Sequence, residues 1–375
     1  MKTNRPLIGV YVHIPFCDGK CPYCDFYSMR ADEARLEAYT NALCRTAQAW
    51  APQWHGKTAD TVYFGGGTPV LLGADRLRRV LESIRANIAL TADAEITVEA
   101  NPAAAQEPLF RALHKAGFNR LSMGLQSADP DELRFLGRRH TVQQASEAVQ
   151  TARDAGFTNI SLDLMLGLQG QTPERLKRSV AFCAQQEVPH VSAYLLKVEP
   201  GTPFDRRGVE AQLPDEDAQA ELYHTVCTEL AQYGYHQYEI SNFAKAGFES
   251  RHNLHYWRDE EYAALGASAH GFLDGKRFYY PRDIEAFLQG QPPVADGTGG
   301  DPEEYILLAL RLTEGVRRSV YRQRFGQPLP KALERKAALL ARGGLLTDDG
   351  ECIALTRDGF LVSNAVIGTL LDCMD

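Results

Sequence analysis

Short apolar, β-rich runs recur along the first 200 positions, separated by stretches with a helical pattern. The runs start at Leu7 (LIGVYVHI), Thr61 (TVYFGGG), Glu95 (EITVEANP), Asn119 (NRLSMGLQS), Asn159 (NISLDLMLGL) and His190 (HVSAYLLKVEP). Each is nearly continuous in apolar residues, as expected of parallel strands covered on both faces. Between them the period changes. In ADRLRRVLESIRANI, Leu77, Leu81, Ile84 and Ile88 fall at i, i+4, i+7 and i+11, an apolar stripe of helical period. Thr172 before Pro173 supplies an N-cap and a first-turn proline, and Gly156 after TARDA fits a helix C-terminus. The alternation predicts an α/β fold, either barrel-like or an open parallel sheet. Cysteines, Gly65 to Thr68, Glu99, Gln126 and Asp163 stand at or just past the C-terminal ends of the runs. Both architectures place their sites there.

After Pro200 the pattern changes. DEDAQAELYHTVCTELAQYGY reads as a helix, HQYEISNFA as one strand, and HGFLDGKRFYY as a hairpin turning at Asp274-Gly275. QPPVADGTGGDP reads as a linker. The last part suggests a helix, a short hairpin and a final helix, much like a winged helix. The expected division is a core over residues 1–205, an extension over 206–290, a linker over 291–302 and a winged-helix-like domain over 303–375.

Composition narrows the class. The chain has 375 residues, 44% hydrophobic and 23% charged, ordinary for a globular protein with a sizeable core. A net charge of -8 argues against general nucleic-acid binding, which needs a basic face. No run of about 18 apolar residues is present, so stable membrane insertion is not expected. The N-terminal MKTNRPLIGVYVHIPF reads as a first strand and not as a signal peptide. Eight cysteines are too sparse for a disulfide scaffold, which points to the reducing cytoplasm. Cys44, Cys183, Cys227, Cys352 and Cys373 are expected to be small buried hydrophobes.

The other three, Cys17, Cys21 and Cys24, sit in YVHIPFCDGKCPYCDFYS with the spacing C-x3-C-x2-C. A structural zinc site would want a fourth tetrahedral ligand, and no second cysteine pair stands nearby to supply it. Thiolates bind iron–sulfur clusters readily, and a [4Fe–4S] cube held by three cysteines leaves one iron open to an outside ligand.

This loop, placed after a first strand, resembles the signature of the radical S-adenosylmethionine (SAM) superfamily. The resemblance implies that SAM itself completes the cluster, within a partial (β/α)6 TIM-like barrel. It also implies roles for other residues. Gly66, Gly67 and Thr68 in GGGTP resemble the segment that meets the methionyl amino group. Glu99, Gln126, Arg138 and Asp163 match the SAM-contacting pattern of one subgroup, and Tyr11 and Tyr23 are aromatic candidates near the adenine or a second ligand. That subgroup is the oxygen-independent coproporphyrinogen III oxidase-like family, and the likeness runs over nearly the whole chain.

Two branches of the family compete. The oxidase carries a fourth cysteine, C-x3-C-x2-C-x-C, and a longer N-terminal extension. Here Phe26 stands in its place, and 16 residues precede Cys17. The other branch is a haem chaperone with the signature H-N-x-x-Y-W, present as HNLHYW from His252 to Trp257. That branch implies haem binding, a haem-accepting partner protein and a reductant for the cluster, with no catalytic residue assigned. The alternative is oxidative decarboxylation of coproporphyrinogen III. Within HNLHYW, His252 is expected to ligate haem iron, with Tyr256 and Trp257 as flat apolar surface. His255 and His270 are further candidate ligands.

Overall fold

The computed structural model describes residues 5–374. The first four positions and the last of the expected domain bounds lie outside that range. All six apolar runs are strands: β1 (Leu7–Ile14), β2 (Thr58–Gly66), β3 (Ala89–Ala100), β4 (Arg120–Gln126), β5 (Asn159–Leu166) and β6 (His190–Leu195). They lie side by side in sequence order and every neighbouring pair is parallel. Helices such as Ala74–Asn87, which buries Leu77, Val80, Leu81 and Ile84, cover the outer face. The fold is the TIM-like α/β barrel with an additional C-terminal domain.

Alternation along the strands sorts the side chains. Val10, Val12, Val62, Phe64, Val98, Leu121, Met123, Leu162 and Val191 face the helices and are fully buried. The residues between them face inward and include Tyr63, Glu99, Arg120, Ser122, Gln126, Asp163 and Ser192. The runs are therefore apolar on one face only, and the inner face is polar.

Both edges of the six-stranded unit are extended. At one edge, β7 (His236–Gln237) and β8 (Asn242–Ala244) form an antiparallel pair, with β8 against β6. The stretch HQYEISNFA is thus two short strands rather than one. It turns between them at Glu239, which bridges to Leu312. At the other edge stand β9 (Tyr262–Leu265), parallel to β1, then β10 (His270–Leu273) and β11 (Lys276–Tyr279). The hairpin turns at Asp274-Gly275 as expected, both residues having positive φ.

The expected linker is also corrected. Val294–Thr298 forms β12, which pairs antiparallel with β11 and ends the sheet. All five of its residues are exposed. An edge strand needs no apolar alternation and tolerates a proline at its start, so its composition mimics a loop. Of the five scattered cysteines, only Cys183 and Cys227 are buried; Cys44, Cys352 and Cys373 are half-buried.

In the C-terminal domain, β13 (Val316–Arg317), β14 (Leu346–Asp348) and β15 (Cys352–Leu355) form a small antiparallel sheet against helices, including Lys331–Arg342 and Ser363–Leu371. This matches the winged-helix-like expectation. Arg324 of this domain reaches the barrel. Its guanidinium donates to the Asp259 carboxylate at 2.5 Å and to the Arg258 and Asp259 carbonyls.

HNLHYW forms the helix Arg251–Trp257, capped by Ser250. It closes the N-terminal end of the barrel. The backbone N–H groups of Arg251 and His252 donate to Glu95 of β3, at 3.2 Å each. Arg251 and His255 both pair with Asp60 of β2, at 3.1 and 2.7 Å. Glu260 lies 3.0 Å from the other ring nitrogen of His255.

Burial alone would push the His255 imidazole down, but the Asp60 and Glu260 carboxylates outweigh it and hold it at about 9, against 6.5 for a free side chain. Because the folded value is raised, the stabilisation is complete below pH 6.5 and is lost as pH rises through about 9. We expect His255→Gln to be less stable than wild type at about pH 6, with the gap closing by about pH 9.5. Paired urea titrations at the two pH values check this, and a gap that stays constant would rule out the charged imidazole.

Candidate functional site

The site is built on the loop after β1. Its base is closed by backbone hydrogen bonds from Cys17 to Met29 and from Met29 to Pro15, both 2.9 Å. Its far side is held where the Phe204 N–H donates to the Pro22 carbonyl and where Tyr23 packs on the Phe204 ring. The glycine loop after β2 lies directly against it. The N–H of Gly67 donates to Ile14 and that of Thr68 to Phe16, at 2.9 and 2.7 Å. A Cβ on Gly67 would stand 2.5 Å from the Phe16 carbonyl oxygen, so only glycine allows this approach.

Below the loop, His13 is wedged among backbone groups. Its Nε2 meets the Tyr27 carbonyl at 3.2 Å, which can only accept, so Nε2 carries the proton. Nδ1 therefore accepts from the Tyr11 hydroxyl at 2.9 Å. Burial pushes this imidazole down to about 4 and keeps it neutral.

Above the C-terminal ends of the strands lies a cavity of about 730 Å³. Cys17, Cys21, Cys24, Tyr23, Gly66, Gly67, Thr68, Glu99, Gln126, Arg138 and Asp163 all line it. Eleven of the fifteen expected site residues thus converge, although they span Cys17 to Asp163 in sequence. The three cysteines are free thiols. Burial pushes the Cys24 thiol up, and Cys21 and Cys17 add to the effect. Arg138 Nη1 stands 3.7 Å from Cys21 Sγ, and Thr68 Oγ1 stands 3.8 Å from Cys17 Sγ. Donors aimed at sulfur favour the thiolate that a metal cluster needs. All three thiols line this one cavity, and as a donor set they are what a three-cysteine iron–sulfur cube requires, although among the described residues no three His, Cys, Asp or Glu side chains are gathered to hold a single metal ion.

The other polar groups of the cavity are held as well. Glu99 accepts from the Tyr63 hydroxyl at 2.8 Å and from the Gly66 N–H at 3.1 Å. Burial raises its carboxyl to about 7 in spite of these donors. Burial likewise raises Asp163 to about 6, against the Ser192 and Ser122 hydroxyls. Both carboxyls suit a ligand that brings positive charge or hydroxyl donors. Arg138 is oriented by the Gly124 carbonyl at 2.6 Å and by Asn101 at 3.2 Å. Gln126 ends β4 with φ of 72°, a left-handed conformation that turns its side chain into the cavity.

Four expected residues lie elsewhere. Tyr11 is beneath the floor, stacked on Tyr63 and His252 at 6.2 and 6.3 Å, and does not line the cavity. His252 is 1% exposed, and both ring nitrogens are engaged, Nδ1 with Thr61 and Nε2 with Tyr256, at 2.8 Å each. Both ring nitrogens thus have partners, and the iron-ligand role expected of His252 would require breaking one of these bonds. Tyr256 does stand beside His252, as i+4 spacing requires, and is its hydrogen-bond partner. Trp257 ends the same helix, half-buried. His255 is also occupied, and His270 is exposed, stacked on Tyr279.

Sequence reasoning missed Tyr63, Arg120, Ser122, Ser192 and Asn253, all of which line the cavity. Strand parity carries the signal for most of them. Arg120 and Ser122 share a face with Gln126, and Ser192 pairs in register with Asp163.

Comparison with known proteins follows the same lines. The Radical SAM superfamily model matches residues 11–183, and the HemN C-terminal domain model matches residues 301–362. The chain is 36% identical to the heme chaperone HemW of Bacillus subtilis, covering 97% of this chain and 99% of that one. It is 34% identical to the heme chaperone HemW of Escherichia coli, covering 98% and 99%. Among solved structures, the coproporphyrinogen III oxidase HemN of Escherichia coli, described as a radical SAM enzyme, superposes with a TM-score of 0.83. That match is at 24% identity and covers 100% of this chain and 91% of that one, a likeness of fold.

Proposed function

We propose a function from one premise: the chain belongs to the heme chaperone HemW family and carries a radical SAM domain. On this reading it binds haem, a [4Fe–4S] cluster and SAM, and passes haem to an acceptor protein. The observation that carries it is the convergence of the cysteine loop, the glycine loop and the Glu99, Gln126, Arg138 and Asp163 side chains on one cavity. Cys17, Cys21 and Cys24 would hold the cluster, which supplies an open iron and an electron from an external reductant. The glycine loop and the held carboxyls would orient SAM above it.

The cavity mouth supports the haem part of the reading. Phe26 and Leu195 line the cavity and are 64% and 38% exposed, the exposure expected at its opening. Lys20 and Arg282 line the same cavity. An apolar rim with flanking cations suits a flat macrocycle that carries carboxylates. We therefore place haem at this rim and not on HNLHYW. No helix among the described residues is long and apolar enough to cross a membrane.

The test is a haem titration of cluster-reconstituted protein, run beside an anaerobic coproporphyrinogen III assay with SAM and an electron donor. We expect saturable haem binding, weakened roughly tenfold by Phe26→Asp, and no protoporphyrinogen IX. Multiple turnovers of the porphyrinogen would overturn the chaperone reading. An unchanged affinity in Phe26→Asp would move haem away from the rim.

A further inference from the structure

A column of aromatic rings leads from the cavity toward the closed end of the barrel. It starts at Tyr63, which lines the cavity. Tyr63 stacks on His252 at 5.2 Å between centroids, His252 meets Tyr256 edge to face at 5.1 Å, and Tyr256 meets Tyr262 at 4.6 Å. Every step is direct ring contact. Tyr256 and Tyr262 are half-buried, so the far end of the column is partly open to solvent. The middle of the column is HNLHYW, whose His252 and Tyr256 have no other part in the function proposed above.

The hydroxyls of this layer are matched to side chains that can take up a proton. Tyr63 donates to the Glu99 carboxylate at 2.8 Å. Tyr256 stands 2.8 Å from His252 Nε2. Burial keeps this imidazole neutral, with one ring proton. Placed on Nδ1, toward the Thr61 hydroxyl at 2.8 Å, that proton leaves Nε2 to accept from Tyr256. Tyr11, stacked against both Tyr63 and His252, donates to His13 Nδ1. Elsewhere Tyr39, Tyr223 and Tyr235 donate to backbone carbonyls, which take up no proton. Tyr238 does meet His190 at 2.9 Å, but no ring contact among the described residues joins that pair to the column. Burial pushes the Tyr63 and Tyr256 hydroxyls well up, so neither ionises by itself. A tyrosine so placed loses an electron only together with its proton, and the proton needs an acceptor at hand.

We propose that Tyr63, His252 and Tyr256 form a relay that draws a stray radical out of the cavity. A carbon-centred radical takes the hydrogen atom of the Tyr63 hydroxyl, which leaves a closed-shell C–H product and the Tyr63 phenoxyl radical. Tyr256 then passes an electron across the His252 ring to Tyr63 and its proton to His252 Nε2, while Tyr63 takes a proton from solution. At the partly open end, the one-electron reductant that also serves the cluster reduces the Tyr256 phenoxyl radical, and His252 returns the proton. The radical in question is the 5′-deoxyadenosyl radical. Were SAM cleaved with no porphyrinogen to oxidise, that radical would otherwise attack the glycine loop. This source rests on the function proposed above, whereas the relay rests on the ring contacts and the paired hydroxyls.

Two oxidants separate the relay from the radical's source. In the first arm, reduced, cluster-reconstituted protein is mixed with SAM and frozen, and its electron paramagnetic resonance spectrum is read beside the 5′-deoxyadenosine released. Wild type should show a neutral tyrosyl radical. Tyr256→Phe and Tyr63→Phe should each lose it, the first for want of the sink and the second for want of the entry. Both keep their rings and so the stack, and Tyr63→Phe still tests the relay if Tyr256→Phe folds poorly. In the second arm, the same reconstituted protein without SAM is oxidised by a flash-generated ruthenium(III) polypyridyl complex. A long-lived tyrosyl radical should form in wild type, in Tyr63→Phe and in Tyr233→Phe, an exposed control outside the column, and should be lost in Tyr256→Phe. The proposal falls if wild type holds no long-lived radical after the flash, or if a folded Tyr256→Phe holds one as long as wild type does. It falls equally if 5′-deoxyadenosine forms and no tyrosyl radical accompanies it. Absence of 5′-deoxyadenosine would overturn the SAM-derived source, and the flash arm alone would then decide the relay.

Discussion

Serine at Cys21 is expected to abolish the iron–sulfur cluster and leave the fold intact. Anaerobically reconstituted wild type should carry about four iron per chain, and the variant close to none. On the proposed assignment three thiolates would be the whole protein contribution to the cube, so removing one leaves two, too few to hold it against exchange with solvent. Cys17→Ser and Cys24→Ser should behave alike. The loop itself does not depend on the metal. It is tied at its base by the Cys17–Met29 and Met29–Pro15 backbone bonds and on its far side by Pro22–Phe204. Thermal unfolding of the metal-free variants should therefore stay near that of the metal-free wild type. Arg138→Ala gives a graded control: the donor 3.7 Å from Cys21 Sγ is lost, and the cluster should become easier to strip with a chelator. Wild type that returned one zinc and no iron would overturn the assignment.

Alanine at His252 is expected to cost about 3–5 kcal/mol of stability, a loss set by the cavity left behind and by orphaned hydroxyls. The ring packs on Tyr63 and Tyr256, at 5.2 and 5.1 Å between centroids. Its removal leaves the Thr61 and Tyr256 hydroxyls without their partner in a buried layer. Burial holds this imidazole neutral, so its contribution is packing and hydrogen bonding, without charge. Urea unfolding of wild type and variant measures the loss. At a permissive denaturant-free temperature the folded variant should bind haem with the wild-type Soret band, because the ring sits in the barrel wall. A shifted Soret band with undiminished stability would restore His252 as the iron ligand.

The six parallel strands were legible because each run is apolar and bounded, and the order of neighbours follows from short crossovers. The cysteine loop was legible because its ligands are local: a C-x3-C-x2-C spacing sets the reach of three thiols whatever the rest of the chain does. Glu99, Gln126 and Asp163 were found because strand C-terminal ends are where such sheets keep polar residues.

Other features depended on partners far away in the chain. His252 looks like a free imidazole in HNLHYW. Its state is decided by Thr61, 191 residues distant, and by a barrel end that no local pattern predicts. Val294–Thr298 reads as a loop, and only the neighbouring edge of β11 makes it a strand. Arg120 reads as an ordinary strand-start cation until the register of β3, β4 and β5 shuts it inside, where its Nε has no hydrogen-bond partner among the described residues. Sequence by itself determined the periodicity, the turns and the local ligand spacing, because these depend on covalent neighbours. Tertiary structure decided which polar groups are satisfied and which face the cavity, because burial and hydrogen bonding are set by the elements that pack against them.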